Sequence, residues 1–257
     1  MKDVAIQIVN YNTKKYLIDC IDGVFSDLRG TDLRYEVLVL DNASNDDLGD
    51  LHDRYGDKVL VSQSEKNKGF GGGHNDLAGR SNAPFLLIIN PDIQFVEPKT
   101  IERLMASMRT GENCAVIGPK LVMGNGIVQE WDHGELRGLR AWVANRIGSS
   151  YWKERDRASD VAWVSGAFFL IRRDIFEQVG GFDENFFLYK EEEDLCLRIR
   201  QKGMRIKYDP AIRVIHYGSV VASKDMYMEK SIAYFKKKHA TSWLSGQLAK
   251  LIHKLVK

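Results

Sequence analysis

The chain has 257 residues, 44% hydrophobic and 28% charged, with 37 basic and 35 acidic side chains giving a net charge of +2. That length can bury a substantial core, and the near-balanced charge excludes the broad basic field of a nucleic-acid-binding protein. No apolar run reaches the length of a membrane span.

Met1-Lys2-Asp3-Val4 lacks the apolar region of a signal peptide, so a cytoplasmic location is expected. Cys20, Cys114 and Cys196 form neither a pair motif nor a metal spacing. Cys20 and Cys196 sit among apolar residues in helix-like segments, so buried thiols in a reducing compartment are expected. Val4 to Val9 is predicted to be a strand ending in Asn10-Tyr11-Asn12. Thr13 stands where it would cap a helix whose apolar face is Tyr16, Leu17, Cys20, Ile21, Val24 and Phe25. Tyr35 to Leu40 is a second strand, ending in Asp41-Asn42-Ala43-Ser44, and Val59-Leu60-Val61 is a shorter third. A glycine-rich segment, Asn67 to Asn75, then precedes a short helix towards Arg80. Five successive apolar residues, Phe85 to Ile89, suit a strand buried on both faces. It should stop at Asn90-Pro91-Asp92, because proline cannot donate to a ladder.

Strand–helix units in this order predict a doubly wound α/β sheet. If its strands are parallel, the polar ends Asn10/Asn12, Asp41/Asn42 and Asn90/Asp92 meet at the carboxyl edge, where open α/β sheets bind ligands. A carboxylate there can hold a hard cation, and the cation a diphosphate. A turn cap is the simpler alternative for Asp92.

Beyond Pro98, the spacing of Ile101, Leu104, Met105 and Met108 predicts a helix ending near Gly111. Ala115 to Gly118 follows as a strand. Residues 123–159, rich in Gly, Arg and Trp and without clear period, read as hairpins and loops. Trp131, Trp142, Trp152 and Trp163 fall in this half, where an aromatic face can stack on a sugar ring or simply fill the core. Ala162 to Ile171 reads as a strand interrupted at Ser165-Gly166-Ala167, which suggests a bulge or a close backbone approach. A helix from Arg173 stops at Gly180-Gly181. Glu191-Glu192-Glu193-Asp194 opens another helix, ending at Gly203. Met204, Ile206 and Tyr208 alternate as a strand, Asp209-Pro210 makes a turn, and Ile212 to His216 is the last strand.

The glycines at 69 to 73 fail both phosphate-loop tests, since no GxGxxG and no Gly-Lys-Ser/Thr can be written across them. The four acids suit a helix N-terminus electrostatically. Successive helical residues point about 100° apart, so one or two of the four can face a cleft. A single carboxylate there could take a proton from an attacking hydroxyl. His216 gains significance only beside Asp92, because imidazole plus carboxylate suits Mn²⁺ or a related ion.

The ordered set Val9-Asn10-Tyr11-Asn12, Asp41-Asn42-Ala43-Ser44, Asn67 to Asn75, Asn90-Pro91-Asp92, Ser165-Gly166-Ala167, Gly180 to Glu184, Tyr189 to Leu197 and His216-Tyr217-Gly218 resembles family 2 glycosyltransferases. The nearest likeness is to the bacterial rhamnosyltransferase-like branch. It extends to Tyr234-Phe235-Lys236-Lys237-Lys238-His239. The resemblance implies a GT-A fold: a Rossmann-like, mixed, mostly parallel sheet flanked by helices. It also implies one domain over residues 1–240, with a nucleotide-sugar half (1–96) fused to an acceptor half (97–240).

The implied reaction is an inverting transfer of a sugar, rhamnose among the candidates, from a dTDP-, UDP- or GDP-linked donor. The implied acceptor is a hydroxyl of a glycan or polyprenyl-linked glycan in cell-surface polysaccharide synthesis. By position, Asn10, Tyr11, Asn12, Asp41, Asn67 and Gly69 would line the nucleotide pocket, with Asn90 and Asp92 beside it. Asn90-Pro91-Asp92 stands in place of the family's Asp-x-Asp, so Asp92 and His216 would hold Mn²⁺ or Mg²⁺. Asn90 replaces the first Asp and removes one charge. Glu192 falls where the family has its base, with Glu191 as the neighbouring alternative. Gly166, Ala167 and Trp163 would border the donor-sugar or acceptor pocket. A catalytically idle sugar-nucleotide-binding module is the competing reading, and the failed glycine fingerprint argues against an oxidoreductase.

In residues 241–257 the stripe Trp243, Leu244, Gln247, Leu248, Leu251, Ile252, Leu255 and Val256 runs beside Lys250, Lys254 and Lys257. It reads either as a basic amphipathic helix lying on the inner face of an anionic membrane or as a dimer- or core-docking helix.

Overall fold

The computed structural model describes residues 1–146, 149–218 and 224–243. In chain order β1 (Val4–Asn10), α1 (Lys14–Asp27), β2 (Tyr35–Asp41), α2 (Asp50–Tyr55), β3 (Val59–Gln63), α3 (Gly69–Ala78) and β4 (Phe85–Ile89) form the strand–helix repeat that the apolar runs predict. β1 pairs in parallel with both β2 and β4, and β2 with β3. The register sets Asn10 beside Asp41 and Ile8 beside Ile89, so the three polar strand ends do share one edge.

Two apolar layers follow from strand alternation. Val4, Ile6, Ile8, Val37 and Val39 face one way and meet Leu17, Cys20, Ile21 and Val24 of α1 and Leu51 of α2. Ile101, Leu104, Met105 and Met108 of α4 (Thr100–Arg109) complete that layer. Ala5, Leu38, Leu40, Leu86 and Ile88 face the other way, against Leu77 of α3.

A short β5 (Ile93–Phe95) lies directly beyond Pro91. The sheet continues through β6 (Cys114–Val122), β10 (Phe168–Arg172) and β11 (Arg205–His216), in the order β3-β2-β1-β4-β10-β6-β11-β5. β8 (Ser159–Asp160) adds to β11. β10 is antiparallel to both β4 and β6, whereas β6 and β11 are parallel. The sheet is therefore mixed, parallel from β3 to β4. α6 (Arg173–Gln178) and α7 (Glu191–Gln201) cover the same face as α3, through Ile175, Phe176, Leu195, Cys196 and Ile199. All three cysteines are buried and unbridged. No helix among the described residues is long and apolar enough to cross a membrane.

Several local expectations need correcting. Thr13 does not cap α1: its hydroxyl donates to Asn10 Oδ1 (2.8 Å), and Asp46 Oδ2 takes the Lys14 N–H at 3.0 Å instead. The residues from 162 to 171 are not one interrupted strand. β9 (Trp163–Val164) pairs with β7 (His133–Gly134) in a separate two-stranded sheet, and β10 joins the main sheet. The turn expected at Asp209-Pro210 is a register shift within the continuous β11, where the ladder to β6 skips from Asp209 to Arg213. Pro210 falls in that gap, so its missing N–H costs the ladder nothing.

The 123–159 segment contains a helix as well as hairpins, α5 (Leu139–Arg146). α8 spans Lys224–Trp243, and the amphipathic stripe expected over 241–257 lies outside the described residues from 244 onward.

The glycine cluster belongs to α3 itself rather than to a loop ahead of it. A Cβ on Gly71 would meet Phe182 Cβ at 2.8 Å, and one on Gly73 would meet Val9 Cγ2 at 2.9 Å. Gly69 is the most constrained: φ is +72°, and a Cβ would lie 2.2 Å from the Phe187 carbonyl oxygen. The close approach is to protein backbone. Gly69→Ala is expected to cost upwards of about 2 kcal/mol, combining a left-handed penalty with a backbone clash. The check is a lower urea midpoint at unchanged m value.

Candidate active site

β4 ends at Ile89, opposite Phe168 of β10. That pairing sets Asn90 against Ala167, and the Asn90 N–H donates to the Ala167 carbonyl at 2.8 Å. The Ser165-Gly166-Ala167 interruption therefore lies directly beside Asn90-Pro91-Asp92. Gly166 brings in the next element: a Cβ there would stand 3.8 Å from Glu192 Cβ and 3.1 Å from Phe70 Cζ. A continuous path thus runs from Asp92 through Asn90, Ala167 and Gly166 to Glu192, joining residues scattered over a hundred positions of sequence.

At the Asp92 end, β5 pairs antiparallel with β11, and the register places His216 opposite Ile93. His216 Nε2 is 3.4 Å from Asp92 Oδ1 and 3.3 Å from Asn90 Nδ2. His216 Nδ1 is 2.8 Å from Gln129 Oε1. An amide oxygen accepts only, so Nδ1 carries a proton; Nε2 donates to Asp92 when the ring is cationic and offers a lone pair there when the ring is neutral. The Gly218 N–H donates to Asp92 Oδ2 at 2.8 Å. Burial opposes ionisation of Asp92, but the His216 contact and the Gly218 N–H outweigh it and hold the carboxyl below its ordinary range. With the ring neutral, a carboxylate oxygen and an imidazole lone pair 3.4 Å apart form a two-ligand donor set that fits a divalent ion of intermediate hardness. Among the described residues, no group of three or more His, Cys, Asp or Glu side chains could hold a metal ion, so other positions would fall to ligand oxygens.

The acidic run opens α7, just after Tyr189 and Lys190, both left-handed at φ 70°. Such conformations are uncommon for bulky residues and concentrate at functional sites. The four carboxylates divide cleanly. Asp194 is fully buried against Arg198 (2.8 Å), Lys238 (2.7 Å) and His239 (2.8 Å), and so ties α7 to α8. Glu193 takes Lys190 Nζ and Ser150 Oγ, each at 2.7 Å. Glu191 and Glu192 each keep one buried oxygen without a partner among the described residues. Burial, and then the charge of Glu193, pushes the Glu192 carboxyl up to about 7. Burial and the charge of Glu192 push Glu191 well above its ordinary value. Glu191 is only 4% exposed, whereas Glu192 is partly accessible.

Among the residues expected to line a nucleotide pocket, Tyr11 and Asn12 are exposed at the rim of β1. Asn10 is fully buried, its amide nitrogen reaching Asp46 Oδ2 (3.0 Å) and Ser44 Oγ (3.3 Å), so it braces the loop after β2. Asp41 takes the Ser44 N–H at 3.2 Å. Asn67 Oδ1 accepts the Gly69 N–H at 2.9 Å and the Asn42 amide at 3.0 Å. Sequence reasoning gave Asn42 no role of its own. It is nonetheless the knot of this loop, accepting the Lys68 N–H (2.9 Å) and donating to the Gly69 carbonyl (3.1 Å). Only its place beside Asp41 hinted at this. Trp163 is buried in the core at the β9 ladder, against Gly134. Gln129, from a segment read as loop, is a further residue that the sequence did not single out.

Residues 5–180 match the family described as Glycosyl transferase family 2. The N-acetylglucosaminyl-diphospho-decaprenol L-rhamnosyltransferase of Mycobacterium tuberculosis is 26% identical over 262 residues, 88% of this chain and 85% of that protein. Rhamnosyltransferase WbbL of Escherichia coli is 47% identical over 57 residues, 22% of each chain. The mannosyltransferase PcManGT from Pyrobaculum calidifontis, solved with GDP-Man and Mn2+, superposes with a TM-score of 0.60 at 15% identity. That likeness covers 89% of this chain and 59% of the other, and it carries the fold alone.

Proposed function

Because this chain belongs to glycosyl transferase family 2, we propose that it transfers rhamnose from a nucleoside-diphosphate sugar to a hydroxyl of a polyprenyl-linked glycan, with inversion and with help from Mn²⁺ or Mg²⁺. The observation that supports this reading is the path Asp92–Asn90–Ala167–Gly166–Glu192, which joins the Asp92–His216 pair to a carboxylate that has one oxygen without a partner among the described residues. Residues 1–96 are the nucleotide-sugar half in this account and 97–240 the acceptor half. The names of the mycobacterial and Escherichia coli relatives support the sugar, and the decaprenol of the former supports the class of acceptor.

Asp92 and His216 would hold the cation, which supplies positive charge to the departing diphosphate. When the ring is neutral, Gln129 keeps His216 in the tautomer that leaves Nε2 free. Asn90 lowers the negative charge at this seat by one relative to an Asp pair, so affinity for the cation leans on His216. Glu192 takes the proton of the acceptor hydroxyl as that oxygen bonds to the anomeric carbon. The bond from that carbon to the diphosphate oxygen breaks, and its electron pair leaves with the diphosphate. One displacement from the opposite face inverts the carbon and needs no carboxylate nucleophile. Glu191, more buried and with its ionisation opposed by burial and by the charge of Glu192, is poorly suited to be the base.

The base works only when ionised, so kcat/KM should rise with pH through about 7, the value to which burial brings Glu192. The stability linkage has the opposite sign. A carboxyl raised from 4.5 to about 7 binds its proton more tightly in the folded state. That stabilisation is complete below 4.5 and lost as pH rises through about 7. Glu192→Gln should remove this component, checked by urea midpoints across that window. The functional reading is tested by thermal shift against a panel of sugar nucleotides and nucleoside diphosphates, with and without Mn²⁺. Stabilisation that needs both nucleotide and cation is the expected result, and no response to any nucleotide would refute it.

A further inference from the structure

Lys190 is the residue from which α7 starts, and its backbone is left-handed at φ 70°, directly after an equally left-handed Tyr189. Two such residues in succession, neither of them glycine, persist only when their surroundings hold them. That hold comes from three elements. Lys190 Nζ donates to Glu193 Oε1 (2.7 Å) on α7 and to Ser150 Oγ (3.2 Å) beyond α5. It also stands 5.8 Å from the centre of the Phe235 phenyl group on α8. Ser150 Oγ in turn donates to Glu193 Oε2 at 2.7 Å, which closes a hydrogen-bonded ring of three side chains.

The ring brackets Glu192. Its two charged members flank Glu191 and Glu192 in the chain, and a Cβ on Gly166 would stand 3.8 Å from Glu192 Cβ. The side chains of Lys190 and Glu193 are only 9% and 12% exposed, so water screens their charges poorly. Glu193 opposes ionisation of Glu192, and Lys190 favours it. The other ionisable neighbours on α7 are Glu191 and, one turn along, the Cys196 thiol. On the facing side stand Gly166 and Phe70, neither of them charged. Among the described residues, then, this ion pair dominates the charge around Glu192, and the mechanism above makes no use of it.

We propose that Lys190 and Glu193, joined by Ser150, are positioning residues for the base. The ring fixes the left-handed entry into α7 that turns Glu192 towards Gly166, and it sets one cation and one anion beside that carboxylate. The balance between the two decides the pH at which Glu192 can accept a proton. The role of Glu192 as base rests on the sugar-transfer reading; the effect of the ring on its titration does not.

The test compares Lys190→Met, Lys190→Gly, Glu193→Gln and Ser150→Ala with the unaltered full chain, each checked for folding by circular dichroism. One readout is kcat and KM for transfer as a function of pH. The other is the titration of the Glu192 carboxyl by carbon-13 NMR of glutamate-labelled protein, its signal identified by its loss in Glu192→Gln. Lys190→Met removes the cation, so both midpoints should rise by at least about 0.5 in pH. Glu193→Gln removes the anion, so both should fall by about as much. It keeps the ring, because the amide can accept from Lys190 Nζ and donate to Ser150 Oγ. Ser150→Ala removes no charge and should lower kcat at least roughly threefold at an unmoved midpoint, with donor KM within about twofold. Glycine takes the left-handed turn without strain, so Lys190→Gly isolates the side chain and should show the same rise as Lys190→Met.

Midpoints that stay in place, or that move the same way in Lys190→Met and Glu193→Gln, would overturn the proposal, because a merely structural ring gives no opposite shifts. So would an unaltered kcat in Ser150→Ala, or a Lys190→Gly variant that behaves as the unaltered protein. Where Lys190→Met does not fold, the fall in Glu193→Gln decides. If only the sugar-transfer reading is wrong, the unaltered protein transfers no sugar and the opposite NMR shifts persist.

Discussion

Glu192→Gln should lower sugar transfer by roughly 10²- to 10⁴-fold, the usual contribution of a positioned general base, while leaving donor affinity essentially unchanged. The substitution is nearly isosteric, and one oxygen of Glu192 already lacks a partner among the described residues. The amide should therefore leave the fold intact. Glu191→Gln is the contrasting variant. Burial and the neighbouring charge favour the protonated form of Glu191, so a neutral amide imitates the form its surroundings favour and should cost less than tenfold. Steady-state rates and donor titrations of the two variants separate the roles. A large loss in Glu191→Gln with a small one in Glu192→Gln would reverse the assignment.

Asp92→Asn should reduce transfer at least roughly a hundredfold and weaken the dependence of donor binding on Mn²⁺. Its effect is expected in cation and nucleotide affinity, where Glu192→Gln should be silent. The amide oxygen can still accept the Gly218 N–H that Asp92 Oδ2 takes at 2.8 Å, so the turn survives and only the charge is lost. Titration of Mn²⁺ at fixed donor, together with a thermal melt of the free protein, measures both halves of this expectation. Unchanged Mn²⁺ dependence in a folded variant would remove Asp92 from the cation seat.

The first half of the molecule was legible because its signals are local. Apolar runs of five to seven residues and polar stops determine where β1, β2 and β4 end, and parallel pairing then carries Asn10, Asp41 and Asn90 to one edge. Where the deciding partner is remote, local reading failed. Thr13 looks like a cap, but Asp46, brought in from the end of β2, takes the Lys14 N–H. The glycines of α3 read as a loop because nothing local says that Phe182, Phe187 and Val9 press against that helix.

The acid run is the sharper case. Its four side chains look equivalent in sequence, and their fates are decided by Lys238 and His239 on α8 and by Ser150 beyond α5. Once those contacts remove Asp194 and Glu193, only Glu191 and Glu192 remain, and burial distinguishes them. α5 escaped notice for another reason. Its apolar residues face outward, so they do not mark an inward face against which periodicity could be judged.

The anomeric configuration of the product tests the central claim most directly, because a single displacement driven by one carboxylate allows only one stereochemical outcome. The sugar transferred to a defined acceptor can be assigned by one-bond carbon–proton coupling at the new linkage, against the known anomer of the donor. Inversion, with no glycosyl adduct detectable on the protein by mass, is the predicted result. Retention, or a covalent glycosyl-enzyme that accumulates on Glu192→Gln, would contradict it.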